Sequence, residues 1–234
     1  MYTGRGAPGA LEIPIDIQYA ENAAVEISLP SNDQFAPDEK KLDLVIDALQ
    51  QSQRRILLVG GGVIAAGAHA EVQALAEQLQ IPVLTTVDGR GALPEDHPLC
   101  IGNYYNSAGM YQAIADADLT LAIGTKFAVG VDGQFAAQTP PGKLVQIDID
   151  GNMVGRTHHA HIGLVADAHL ALRGIQQRMP ELQANDAQFT DKILHAGVGI
   201  RQAMRGRLGT DWPQVMDCIR AKLPANSAFV RAEA

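Results

Sequence analysis

Gly60-Gly61-Gly62-Val63-Ile64-Ala65 satisfies the pattern G-x-G-x-x-G/A in its alanine-ending form. Unpaired backbone N–H groups at a helix start, at the positive end of its dipole, can hold a phosphate. The same glycines also serve a plain tight turn that needs positive φ and close helix packing. Taken alone, the loop admits both readings. Asp88 follows the next apolar run, near where a ribose-binding acid would sit. More glycine turns follow at 86–91 (TVDGRG), 122–127 (AIGTKF) and 148–152 (DIDGN). All of them fall at carboxyl ends of expected strands, the edge where open parallel sheets take ligands.

Other chemistry-bearing groups are weaker. His158, His159 and His161 crowd one stretch, and His159 and His161 would share a strand face. Two imidazoles do not complete a zinc site, and no third or fourth ligand is evident, so no metal is assigned. His97 stands beside Glu95 and Asp96 in "PEDHP", which reads as a turn. Ser107 and Thr125 have no His–Asp system in view, so no catalytic residue is assigned. Trp212 reads as a packing anchor. Cys100 and Cys218 fit no metal or redox spacing and suit a reducing cytoplasm.

The elements that must carry these residues follow a regular pattern. Residues 10–18 alternate apolar and polar and predict a strand, with Pro14 placing it at an edge or end. Residues 19–37 read as a linker, and 37–52 as a helix with Leu42, Val45, Ile46 and Leu49 on one face. Strands are expected at 56–60, 81–87, 118–125, 143–150 and 162–167, with helices at 67–80, 110–117 and 168–179. Residues 88–109 form a loop too long for a mere connection. Strand and helix alternating at this spacing give βαβ units. The expected fold is therefore α/β: a doubly wound, Rossmann-like parallel sheet of about six strands with helices on both faces. Residues 181–210 are polar and helical in tendency, with Gly197, Gly199, Gly206 and Gly209 breaking any single long helix. An amphipathic helix at 211–223 and a strand beginning at 227–232 complete the chain.

The chain has 234 residues, 47% of them apolar, and a formal net charge of −8. That suffices for one large domain with extras. The acidic balance and scattered basic residues argue against a nucleic-acid partner. No run of 18 apolar residues predicts a membrane span, and the first residues lack the apolar core of a signal peptide. The expected location is cytoplasmic.

Residues 57–102, from "LLVGGGVIAAG" to "HPLCIG", resemble the central domain of thiamine-diphosphate-dependent enzymes such as acetolactate synthase and the 2-oxo-acid decarboxylases and carboligases. "ADLTLAIGTKF" and "KLVQIDID" extend the resemblance in order and spacing, over about residues 38–180. "GAPGALEIPIDIQ" resembles the end of that family's pyrimidine-binding domain, and "WPQVMDCIRAKLPANSAFV" the start of its diphosphate-binding domain. The resemblance implies a six-stranded parallel sheet flanked by a stub at 1–18 and another at 211–234. Its activating Glu and its Gly-Asp-Gly magnesium motif have no counterpart here; "VDGQ" (131–134) and "IDGN" (149–152) do not follow that pattern. The chain by itself is thus expected neither to bind thiamine diphosphate with Mg²⁺ nor to catalyse its chemistry.

Family members hold FAD, ADP or nothing in this domain. Carried over by position, the contacts would be Gly61 and Gly62 in the first turn and Thr86 and Gly89 in the second. Gly124 and Lys126 follow in the third, Asp148 and Asp150 in the fourth, and Asp167 after the last strand. Lys126 stands where the family has Arg, and "GNYYNSAGM" lacks the Met-His-Gly stretch near the flavin ring. An ADP-like ligand, or none, therefore ranks ahead of FAD. Exposed terminal stubs would favour a homodimer or association through those segments. The function expected is that of a central domain of such an enzyme, with a free-standing nucleotide-binding or protein-interaction module as the alternative.

Overall fold

The computed structural model describes residues 4–6, 9–21, 35–127, 138–178 and 182–224. In chain order the elements are α1 (Ile15–Gln18), α2 (Glu39–Gln50), β1 (Arg55–Val59), α3 (Gly61–Ala65), α4 (His69–Leu79), β2 (Val83–Thr85) and β3 (Cys100–Gly102). They continue with α5 (Ala108–Ile114), β4 (Leu119–Ile123), β5 (Lys143–Asp148), β6 (Ile162–Val165), α6 (Ala168–Gln176), α7 (Ala187–Arg207) and α8 (Asp211–Lys222). The six strands form one sheet in the order β3-β2-β1-β4-β5-β6, and every neighbouring pair is parallel. This order reverses direction between β1 and β4, which opens a crevice at their carboxyl ends.

Parallel strands covered on both faces read as near-continuous apolar runs, and β1 is buried throughout. Leu57 and Val59 face one layer, with Leu42, Leu75, Leu79, Leu172 and Ile175 from α2, α4 and α6. Ile56 and Leu58 face the other, with Met110, Ile114, Phe189 and Ile193 from α5 and α7. The doubly wound α/β sheet is thus as expected. The carboxylate of Asp38 caps α2 by accepting from the Lys41 N–H at 2.9 Å, and Leu42, Val45, Ile46 and Leu49 form its buried face. The first strand is anchored at its start. The Arg55 guanidinium is buried and donates to the carbonyls of Leu49, Gln183 and Ser52, while Asn185 pairs with both backbone groups of Arg55.

Three expectations about elements are corrected. Residues 10–18 are not a strand: Ile15–Gln18 is a single helical turn, and residues 9–21 are exposed. Pro14 lacks an N–H for a ladder, and its carbonyl instead accepts from Ile17 and Gln18. The loop at 88–109 contains β3, which is only three residues long and so leaves almost no periodic signal. The glycines of 181–210 do not break the chain into short helices, because α7 runs unbroken for 21 residues. Gly197 is the reason at one point: a Cβ there would come within 3.3 Å of Ile101, so its smallness lets α7 close onto β3. Packing of this kind outweighs the propensity penalty of roughly 1 kcal/mol per glycine. The expected strand start at 227–232 and most of the linker at 19–37 lie outside the described residues.

Candidate functional site

A cleft of about 620 Å³ lies across the carboxyl ends of the sheet. Each strand or the turn after it contributes to the lining, from Asn103 after β3 to Asp167 after β6. Of the residues expected to touch a ligand, Gly61, Gly62, Thr86, Gly124, Lys126, Asp148 and Asp167 all line it. Asp88 does so as well. Gly89 and Asp150 do not. Gly89 packs on the Val59 carbonyl and donates its N–H to Thr86. Asp150 turns its carboxylate onto the N–H and side-chain amide of Asn152.

The glycine turn is bound to its neighbour. Gly60 donates to the Ile123 carbonyl at 2.9 Å, Gly62 to the Gly124 carbonyl at 3.0 Å, and Val63 back to Gly60 at 3.1 Å. Gly62 and Gly124 pass so close that a Cβ on either would come within 2.6 Å of the other's Cα. Gly124 has φ 61, a left-handed backbone. These glycines therefore let the turns after β1 and β4 cross at the floor of the cleft. The amides of Gly60, Gly62 and Val63 are spent on the protein itself, and α3 spans five residues only. Positive charge for an anion must come mainly from side chains.

Two cations supply it. Lys126 is exposed on the turn after β4, and Arg5 reaches the cleft from the N-terminal segment, where Gly4, Arg5 and Gly6 all line it. Asp148, 4% exposed at the end of β5, lines the same cleft. Burial pushes its carboxyl above the ordinary aspartate range, against the opposing pull of the Asp150 amide at 3.0 Å and of Arg5. A buried carboxylate with a nearby cation suits hydroxyl recognition, since it accepts two hydrogen bonds without leaving a donor behind. Thr85, 2% exposed, also lines the cleft, and its hydroxyl has no partner among the described residues. The Tyr105 hydroxyl donates to the Gln138 carbonyl at 3.1 Å, and burial pushes its pKa up, so it stays protonated. Asp167 has a second duty: its carboxylate caps α6 by accepting from the Leu170 N–H at 3.1 Å.

The raised Asp148 carboxyl makes a prediction. The native state holds its proton more tightly than the unfolded chain. Its contribution to stability is thus present below the unfolded pKa of about 3.9 and lost as pH rises through the native value. Asp148→Asn keeps an acceptor for the Asp150 amide without the buried charge. Its unfolding midpoint should exceed that of the native chain at pH 7, with the gap closing by pH 4 in parallel thermal melts. A native midpoint equal to the variant's at both pH values would remove the claim.

Arg5 was not visible in the sequence as a site residue, because nothing local ties residue 5 to a sheet 50 residues later. Asn103, Tyr105 and Asn106 lay in the loop whose length alone signalled a role. Among the described residues no third ligand joins any two of His158, His159 and His161. His161 accepts from the Leu144 N–H at 3.0 Å, and the His158 ring meets Phe127 edge-on. Burial lowers the pKa of His158. Among the described residues there is no group of three or more His, Cys, Asp or Glu placed to hold a metal ion. His97 pairs with Glu77 at 3.1 Å, and its N–H closes a turn on Pro94, as "PEDHP" suggested. Cys100 and Cys218 are both free thiols.

Known proteins place this geometry in a family. A family profile described as "Thiamine pyrophosphate enzyme, central domain" matches residues 42–175. The acetolactate synthase large subunit of Corynebacterium glutamicum is 34% identical over 197 residues, covering 82% of this chain and 32% of that one. A Pseudomonas aeruginosa protein named "Probable 2-ketoarginine decarboxylase AruI" is 32% identical over 235 residues, covering 98% of this chain and 40% of that one. Among solved structures, benzoylformate decarboxylase from Polynucleobacter necessarius shares the fold, with a TM-score of 0.57 and 23% identity over 74% of this chain and 32% of that one. The chain spans about a third of the length of the curated relatives it matches. By the extent of the profile match and the ordered sheet that carries it, this chain belongs to the thiamine pyrophosphate enzyme central domain family.

Proposed function

We propose that this chain is the nucleotide-holding central domain of a thiamine-diphosphate-dependent decarboxylase or carboligase, without catalytic activity of its own. The observation that carries this is the cleft at the strand ends, with Arg5 and Lys126 on its rim and the buried Asp148 on its wall. The cations suit a diphosphate and the carboxylate suits ribose hydroxyls, so the ligand class is an adenine nucleotide, ADP ahead of FAD. The activating Glu and the Gly-Asp-Gly motif with which such enzymes hold thiamine diphosphate and its Mg²⁺ have no counterpart in this sequence. That cofactor, which supplies the ylid chemistry when bound, belongs to the rest of a full-length enzyme in this reading.

A thermal-shift series tests it. ADP at 100 times its Kd should add about 2.7 kcal/mol. For a chain of this size that raises the midpoint by roughly 5–10 °C. No shift with millimolar ADP or FAD would make the cleft architectural.

Leu11, Ile13, Ile15 and Tyr19 are exposed near the start, and Trp212, Val215 and Met216 on α8, which has no buried residue. Such faces favour association through the terminal segments, here as a homodimer. Sedimentation giving a monomer at high concentration would exclude it. A cytoplasmic location agrees with the two free thiols. Among the described residues, no helix is long and apolar enough to cross a membrane.

A further inference from the structure

The turn that carries Lys126 is strained and held from outside. Phe127 has φ 52, a left-handed conformation that a non-glycine residue keeps only where its surroundings fix it. Its N–H donates to the Thr125 hydroxyl at 3.2 Å, which tightens the turn but does not anchor it. The anchors come from β5 and the loop after it. Gln146, 1% exposed, lies two residues before Asp148 on the same face of β5. Its side-chain amide donates to the carbonyls of Thr125 at 3.1 Å and Met153 at 3.2 Å, and its oxygen accepts from the Gly155 N–H at 2.8 Å. One buried side chain thus ties the turn to the loop, with both amide protons used. Farther along, the Thr157 hydroxyl donates to the Lys126 carbonyl at 2.9 Å. His158 presses edge-on against Phe127, with ring centroids 5.0 Å apart at 89°.

We infer that the 153–158 loop is a clamp, and that Gln146, Thr157 and His158 are positioning residues that hold the 125–127 turn and so keep Lys126 at the rim of the cleft. None of the three lines the cleft. They act on the ligand through the backbone that bears Lys126. The inference rests on the reading that the cleft takes an anionic nucleotide, and it adds which residues outside the cleft set the affinity. A left-handed Phe127 released from its clamp would relax to an ordinary conformation and swing the preceding lysine off the rim.

Thr157 is the residue to change, because it is exposed and its loss does not threaten the fold. Thr157→Val is isosteric and removes the hydroxyl; Thr157→Ser keeps it. Two readouts are needed. The first is hydrogen exchange at 125–127 in the ligand-free chain. Loss of one hydrogen bond should speed it about fivefold in Thr157→Val, with Thr157→Ser close to native and the amides of β1 unchanged. The second is the Kd for ADP by calorimetry, which should weaken about three- to tenfold in Thr157→Val and recover in Thr157→Ser. Equal exchange at 125–127 in native, Val and Ser chains would overturn the clamp. Faster exchange with an unchanged ADP Kd would overturn its positioning role. Faster exchange in a chain whose native form shows no ADP binding would leave the clamp standing and sink the nucleotide reading alone.

Discussion

Gly124→Ala is expected to lower the unfolding midpoint by roughly 10 °C. The added Cβ would lie 2.6 Å from the Cα of Gly62 and 2.8 Å from the Val63 nitrogen, both backbone atoms that no rotamer change can move. Overpacking of this kind costs about 1–3 kcal/mol, and a left-handed backbone costs a non-glycine residue about 1–2 kcal/mol more. At roughly 2–4 °C per kcal/mol for a chain of this length, the sum reaches that shift. Gly67→Ala separates the two contributions. Gly67 has φ 64, but nothing lies within 4 Å of its would-be Cβ, so only the backbone cost applies. Its midpoint should fall by only about 2–8 °C in the same calorimetric scans. Equal losses for the two variants would mean that the turns after β1 and β4 do not cross in contact. The cleft would then lose its floor as described.

Reversing both rim charges should abolish ADP binding. Arg5→Glu with Lys126→Glu removes two charge-assisted hydrogen-bond donors, each worth about 1.5–3 kcal/mol, and sets two anions facing the diphosphate. At 1.4 kcal/mol per decade the double variant should bind at least about 100-fold more weakly, and Lys126→Met alone about tenfold. Both residues are exposed, so the far-ultraviolet spectrum and cooperative unfolding should persist. The amides of Gly60, Gly62 and Val63 cannot substitute, because they are already bonded within the protein. Calorimetric titration of the three chains decides the matter. Native-like affinity in the double variant would put the phosphates elsewhere, or remove them from the cleft altogether.

Much of the fold was legible because its signals are local. Ile56–Val59 followed by three glycines marks a buried strand running into a helix, and the apolar runs ending in glycine turns at Leu119–Gly124 and Leu144–Gly151 mark two more buried strands. The ordered motifs at those strand ends brought seven of nine expected site residues to one cleft. What stayed hidden depends on contacts distant in sequence. The crossing of Gly62 and Gly124 decides where the glycine amides point, and it follows from strand order, not from either turn alone. Arg5 joins the site from a segment without regular structure. The alternation at 10–18 imitates a strand, but a ladder needs a neighbour, and α7 overrides its glycines because one of them fits over Ile101. Gly89 and Asp150 matched positions of the family pattern, yet local hydrogen bonds turn both away from the cleft.

Whether the strand-end cleft holds an adenine nucleotide is decided by hydrogen exchange with and without saturating ADP. With ADP bound there, exchange should slow at Gly61, at 85–88, at 124–127, and around Asp148 and Asp167, with α8 unchanged. Protection confined to α7 and α8, or no protection anywhere at millimolar ADP, would contradict it.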